Sequence, residues 1–541
     1  MIRVLVALSM LALVGFFIAD RLISLGWDSN TWSGSDNMFY HLFATYDRWQ
    51  LLGFVIVAAL FVIILRQPSQ SPMQLRWKRI SIHWIAIAVF TVATAGTHLV
   101  FQNYPFAMDE FFADFQAAIF AKGHLWATIP KSLAPIAYAA TPALANFQPE
   151  TPAWTAAYLP VYAALRTPFF LLGCSWLVNP LLAGISVLAL AAVIQKIWPN
   201  EADLPFVGVA LLALSPQFLI TSMTAYAMPA HICVNLLWLA CFLRNDRLAF
   251  WLPPWIGVLA LGLHQPNIHF FFVAPFILRL LWNRRWIRAT YFVLVYAAGS
   301  AFWLKFIEWR TPISPHAAAA VSQFYNYFEV PSLPRLLDHL IGVTQILAWN
   351  GCALVFFSVL GVVAWKKSPP VIADLIAGMI LALDCFLLFT ENQGHGWGNR
   401  YFYSYLGSFA LIAVAGFHHF QQHLTRMEKR ALASVTLAGF VIQFSMQTWE
   451  AHTVVAPFAR ARDYFQSRLV ETVVIDTNRI WYGQDLVRNQ PGLGNRPQLL
   501  FLRRFKPDSI HFLDAKNSYE IVGYPEVKSL GLTPTIRMQL P

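Results

Sequence analysis

Asp109 and Glu110 stand side by side about nine residues past an apolar block, opening the amphipathic stretch Glu110-Phe111-Phe112-Ala113-Asp114-Phe115-Gln116. A carboxylate in that setting can take the proton of an acceptor hydroxyl or bind a metal ion. Proton removal by a positioned side chain is worth about 10²–10⁴-fold. The same pair can also cap the following helix, since acidic residues stabilise a first turn. A second group lies in the turn Glu391 to Arg400, where Gly394, Gly396 and Gly398 alternate with His395 and Trp397. Glycines let backbone approach a ligand closely, and the planar fork of Arg400 suits two phosphate oxygens. An interfacial Arg and Trp that anchor a helix end give the same pattern. His264 and His269 flank Pro266 and can bind a phosphate, a metal or a sugar hydroxyl, or cap a helix. Lys131, Arg166 and Arg310 are further cations able to meet an anionic head group or to remain plain surface charges. Asp384 sits inside an apolar block. Intramembrane acids are functional candidates by default, and with Lys305 and Asp374 it would serve an ion path, although those two lie near helix ends and can snorkel.

The elements that must position these residues are set by composition. Of 541 residues 57% are hydrophobic and 12% charged, and mean hydropathy is +0.52. Soluble cores do not need that much apolar surface, and here it comes in blocks long enough to cross a bilayer as helices. About thirteen spans follow, near 3–22, 49–66, 80–100, 177–197, 203–221, 226–243, 248–263, 267–282, 288–307, 341–365, 371–390, 401–418 and 430–447. The first block reads as a retained helix rather than a cleaved signal, because no small-residue cleavage site follows it. The net charge of +11 comes mainly from short loops, so it reads as topogenic charge rather than as a nucleic-acid footprint. The five cysteines lie in or beside apolar blocks without metal-ligand spacing.

Every second loop is basic: Arg66, Arg76, Lys78 and Arg79; Lys196; Arg244 and Arg247; Arg284, Arg285 and Arg288; Lys366 and Lys367; Arg426, Lys429 and Arg430. The positive-inside rule then puts the N-terminus inside and the C-terminal segment outside. The chemically capable residues thereby fall on one side. Residues 101–176 form a long outer loop with amphipathic stretches at 110–122 and 155–173, able to lie along the interface. Residues 448–541 are more polar, with strand-like runs at Thr472-Val473-Val474-Ile475 and Ile510-His511-Phe512-Leu513, and predict a small α/β domain.

The run Ala107-Met108-Asp109-Glu110-Phe111-Phe112-Ala113-Asp114, followed by Phe115 to Gly123, resembles the first outer loop of the GT-C superfamily of membrane glycosyltransferases. The likeness is greatest to bacterial relatives of the dolichyl-phosphate-mannose protein mannosyltransferases and of the lipid A aminoarabinose transferase. Tyr158-Leu159-Pro160-Val161-Tyr162, Trp176-Leu177-Val178-Asn179-Pro180-Leu181-Leu182, Ser215-Pro216-Gln217-Phe218 and Trp397-Gly398-Asn399-Arg400-Tyr401-Phe402 are similar in order, spacing and sidedness. The resemblance covers roughly residues 80–420 and implies a sugar donor on a polyprenyl phosphate, inversion at the anomeric carbon, Asp109 as the residue that orients or deprotonates the acceptor, and Arg400 at the donor phosphate. Met108 stands where the mannosyltransferases often carry a charge.

The sequence thus predicts an all-α polytopic membrane protein with a small C-terminal α/β extramembrane domain. Residues 1–79 would be an additional hairpin, 80–447 a GT-C-like catalytic core, and 448–541 the periplasmic domain. The predicted activity is an inverting hexosyl or pentosyl transfer at the periplasmic face of a bacterial inner membrane. Asp109 and Glu110 would be catalytic, with Arg400, His395, His264, His269 and Lys131 binding the donor phosphate or substrate. The partners would be a polyprenyl-phosphate-linked sugar, a glycan, lipid or protein acceptor, and membrane lipid. No motif fixes a cofactor; the resemblance allows a divalent metal ion, although no ligand set stands out. A transporter or flippase of lipid-linked sugars is the competing reading, and a non-enzymatic envelope protein a third.

Overall fold

A computed structural model describes residues 1–24, 35–66, 80–148, 152–309, 330–389, 396–516 and 518–535. Arg310, Glu391 and His395 lie outside the described residues, as do Arg76, Lys78 and Arg79. The chain is a multi-pass helical membrane protein. Each apolar block read from the sequence is helical. Among the described residues seven helices are long and apolar enough to cross a membrane: Ile2–Ser24, Met38–Arg66, Ile82–Leu99, Ser175–Ile197, Trp286–Phe306, Pro370–Leu387 and Arg426–Gln466. Counting each bent pair as one span makes nine.

The predicted count of thirteen exceeds this because hydropathy does not see breaks or length deficits. Leu204–Ala213 and Pro216–Ser222 meet at 64°, where Ser215 Oγ accepts from Phe218 N at 3.2 Å and Pro216 opens the second helix. Leu333–Asn350 and Cys352–Val363 turn through 118° at Gly351, whose φ of +68° suits glycine. Met228–Phe242, Leu248–Leu261, Pro266–Trp282 and Leu406–Phe420 have 15, 14, 17 and 15 residues. At 1.5 Å per residue they are roughly 21–26 Å long, short of a hydrocarbon core of about 30 Å.

Segment 101–176 holds the amphipathic helices Met108–Phe120 and Val161–Leu171, packed on each other. Between them lies a three-stranded antiparallel sheet in which Ala153–Ala156 pairs with both Ala127–Thr128 and Ala145–Gln148. Those strands are short and Ala-rich, with no period-two alternation to announce them. The last long helix continues past residue 447 to Gln466, starting from a Thr425–Glu428 capping box. It leads into a parallel sheet with Thr472–Ile475 in the centre, flanked by Gln498–Phe501 and Tyr519–Val522. The run Ile510-His511-Phe512-Leu513 is not a strand but part of the helix Pro507–Lys516. Pro507 opens that helix, and Ser509 and Leu513, four residues apart, are both buried.

Candidate active site

The start of helix Met108–Phe120 divides the carboxylate pair. Successive helical residues point about 100° apart, so Asp109 and Glu110 face different neighbours. Glu110 is 1% exposed. Its Oε1 accepts from Ala107 N at 3.2 Å and its Oε2 from Ala225 N at 2.9 Å. It therefore ties its own helix start to the loop before Met228–Phe242. Burial pushes its carboxyl up to about 7, against the pull of those two N–H groups and of Arg488.

Asp109 faces Arg400 and Tyr158. Its Oδ2 lies 2.7 Å from Arg400 Nη2, with the two side chains 9% and 14% exposed, and Tyr158 donates its hydroxyl to Oδ1. The Tyr158 ring stacks on His264, centroids 4.1 Å apart. Burial holds the Tyr158 hydroxyl well above its usual range, and the Asp109 charge adds to that. His264 is pushed down to about 4, chiefly by burial, so it is neutral at physiological pH. The Arg400 guanidinium also stands over the Tyr226 ring at 5.4 Å, a favourable cation–π contact.

Arg400 begins the short helix Arg400–Tyr403, capped by Asn399, whose Oδ1 accepts from Phe402 N at 2.9 Å. Asn399 Nδ2 donates to Gly342 O at 2.7 Å, and Asn399 O accepts from Gln217 Nε2 at 2.8 Å. Gln217 in turn accepts from Asn350 Nδ2 at 2.7 Å. The turn before Arg400 is glycine-rich for a packing reason. Gly398 has φ +77°, and a Cβ there would stand 2.7 Å from Trp349 Cγ; one at Gly396 would stand 2.9 Å from Arg400 Cδ. Trp397 is buried, its ring edge-on to Phe101 at 5.4 Å.

Beneath Tyr226, Asn179 Nδ2 donates to the carbonyls of Thr224 and Tyr226 at 2.7 and 2.8 Å, while Asn179 Oδ1 accepts from the Tyr162 hydroxyl at 2.9 Å. Arg166, 2% exposed, forks onto Asp114 with bonds of 2.8 and 2.9 Å. Arg166 is thus a scaffold cation and not a surface charge. The C-terminal unit joins the same site: Arg488 donates to the carbonyls of Pro105 and Phe106, the latter at 2.7 Å, and stands 4.3 Å over Tyr104. Asp485 is buried, which pushes its carboxyl up to about 7.

The structure therefore brings Asp109, Glu110, Arg400 and His264 together. His269 is elsewhere in function: fully buried, its Nδ1 meets Asn235 Oδ1 at 2.7 Å and its Nε2 meets Tyr296 at 2.8 Å. Lys131 is exposed on the turn Lys131–Leu133 and makes no ion pair with Asp109 among the described residues. Asp384 is exposed on helix Pro370–Leu387, and Asp374 pairs with Arg279 at 2.8 Å. Those placements do not build an acid-lined path through the bundle.

Tyr226, Asp485 and Arg488 were invisible as site residues in the sequence, since nothing local marks them, and Asn399 stood inside a recognisable run without a role of its own. Tyr158 and Gln217 stood inside recognisable runs without a role of their own. The Asp109 carboxylate is engaged by Arg400 and Tyr158, and that of Glu110 by two N–H groups. Among the described residues no group of three His, Cys, Asp or Glu side chains is placed to hold a metal ion.

No protein-family model matches the chain, and no curated protein matches it. Among solved structures it is similar to ArnT from Cupriavidus metallidurans bound to undecaprenyl phosphate, 14% identical over 81% of this chain and 88% of that one, with a TM-score of 0.49. ArnT in the apo state is 13% identical over 81% and 87%, with a TM-score of 0.48. The Archaeoglobus fulgidus oligosaccharyltransferase in the apo form is 14% identical over 74% of this chain and 63% of that one, with a TM-score of 0.43. At such identities and TM-scores these are likenesses of backbone course, and function has to be read from the chain's own residues.

Proposed function

We propose that the chain is an inverting glycosyltransferase of the GT-C type, moving a sugar from a polyprenyl-phosphate donor to a hydroxyl acceptor at the periplasmic face of a bacterial inner membrane. The observation that carries this reading is the Asp109–Arg400 pair, a base and a phosphate-type cation 2.7 Å apart, where apolar helix ends meet the segment 101–176. In the transfer, Asp109 takes the acceptor proton as the acceptor oxygen bonds the anomeric carbon. The bond from that carbon to the phosphate oxygen breaks with its electron pair, and polyprenyl phosphate leaves. The transition state has oxocarbenium character. Charge develops on the leaving phosphate, where a fixed guanidinium is most effective.

The resting pair keeps both groups in place. Arg400 has several N–H donors in one plane, so it can hold Asp109 with one and phosphate with others. As the bound phosphate shares the guanidinium charge, the hold of Arg400 on Asp109 weakens and the carboxylate regains basicity, so donor binding arms the base. Tyr158 fixes the carboxylate through Oδ1, and neutral His264 stacks behind it.

The test is transfer of labelled sugar in membranes from cells expressing wild type or Asp109→Asn at matched levels. The variant is expected to transfer about 10²–10⁴-fold more slowly while labelled polyprenyl-phosphate sugar accumulates. Transfer within threefold of wild type would remove Asp109 from the reaction and with it this reading.

A further inference from the structure

A second buried acidic site lies away from Asp109, between the N-terminal hairpin and the last long helix. Asp47 ends the π-helical turn Phe43–Asp47 and is 0% exposed. Its Oδ2 accepts from Gln345 Nε2 at 2.8 Å and its Oδ1 from Trp349 Nε1 at 2.6 Å. Glu450, on helix Arg426–Gln466, is 1% exposed, and neither of its oxygens finds a hydrogen-bond donor among the described residues. The two elements meet at these acids: the rings of Tyr46 and Trp449, the sequence neighbours of Asp47 and Glu450, lie 5.9 Å apart.

One turn earlier on the same helix face, Gln447 is 0% exposed. Its Nε2 donates to Ala348 O at 2.9 Å, beside Trp349, while its Oε1 is buried without a partner. Arg48, next to Asp47 in sequence, turns its guanidinium over the Trp49 ring at 4.7 Å and makes no ion pair with either acid among the described residues.

Two buried carboxyls with no cationic side chain between them are unfavourable as a bare pair of anions. An amide oxygen that lacks a donor adds to the same excess of acceptors. The group is all oxygen: two carboxylates and an amide carbonyl, the donor set of a hard cation that completes its shell with water. We propose that Asp47, Glu450 and Gln447 bind one divalent cation, Ca²⁺ or Mg²⁺. The ion fastens the hairpin Met38–Arg66 to helix Arg426–Gln466. Through Trp349, whose ring lies 6.3 Å from Trp397, it steadies the turn that carries Arg400. The ion itself touches neither donor nor acceptor.

The full-length protein, purified in detergent and stripped with EDTA, is titrated with CaCl₂ or MgCl₂ alone. Bound ion is counted by equilibrium dialysis and thermal unfolding is followed in parallel. Wild type is expected to hold one divalent ion per chain, with an unfolding midpoint that rises and saturates. Glu450→Gln and Asp47→Asn should lose at least tenfold in ion affinity, while Asp109→Asn keeps the ion. If wild type holds no ion and Glu450→Gln is as stable or more so, the two acids are neutralised by protons and the proposal fails. Loss of the ion in Asp109→Asn would place it at the Asp109 site instead, which also overturns the proposal. Should Glu450→Gln fail to accumulate, the wild-type count and Asp47→Asn decide.

Discussion

Glu110→Gln should remove one pH-dependent contribution to folding. In the folded chain the Glu110 carboxyl sits near 7, against 4.5 for an ordinary glutamate, with burial the main cause. A carboxyl raised on folding contributes stability that is complete below its unfolded value and is lost as pH rises through its folded one. The window therefore runs from about 4.5 to about 7, and the amount at stake is about 3 kcal/mol. Glutamine cannot ionise, so the variant lacks this slope. It offers a single acceptor oxygen, however, so one of the Ala107 and Ala225 N–H groups loses its partner, costing about 1–3 kcal/mol at every pH. The variant should be the less stable protein at pH 5 and equal to or better than wild type at pH 8. Thermal unfolding in detergent at four pH values, together with hydrogen exchange of the Ala107 and Ala225 amides, reads the crossing. Asp485 titrates in both proteins and drops out of the difference. A wild-type advantage that stays constant or grows between pH 5 and 8 would refute the assignment of Glu110 as a carboxyl kept neutral by burial.

Three further outcomes follow from the geometry. Tyr158→Phe removes the hydroxyl bound to Asp109 but keeps the ring on His264; turnover should fall about 10- to 100-fold with the donor KM unchanged, since a hydrogen bond to a charged group is worth about 1.5–3 kcal/mol. Arg400→Lys keeps a charge near Asp109 but loses the planar fork and the contact over Tyr226. In steady-state assays its donor KM should rise about tenfold or more, because lysine meets phosphate as a point charge. Gly398→Ala puts a Cβ on Trp349 at φ +77°; left-handed backbone and overpacking together cost about 2–5 kcal/mol, seen as a lowered unfolding midpoint and reduced yield.

The order of the helices was legible because apolar blocks of span length leave few alternatives to a helix in lipid. The pairing of the Asp109 run with the Arg400 turn could be expected from resemblance alone, since almost 300 residues separate them. What hydropathy could not reveal is where a helix bends. The breaks at Ser215 and Gly351 rest on one capping hydroxyl and one positive φ, and neither changes the apolar count. Nor could it give the sheet around Trp154, whose strands are too short and too Ala-rich to alternate.

Local sequence marked Asp109, Glu110, His264, His269 and Arg400 as chemically able, because residue type alone decides which side chains carry charge or a transferable proton. Tertiary structure decided which of them act together. One helical residue's rotation turns Asp109 to Arg400 and Tyr158, and Glu110 to two backbone N–H groups. The packing of Asn235 and Tyr296 draws His269 into the core. Arg488 and Asp485 join the site from nearly 400 residues away. Such choices depend on what stands across a contact, and a linear sequence carries that only through the fold.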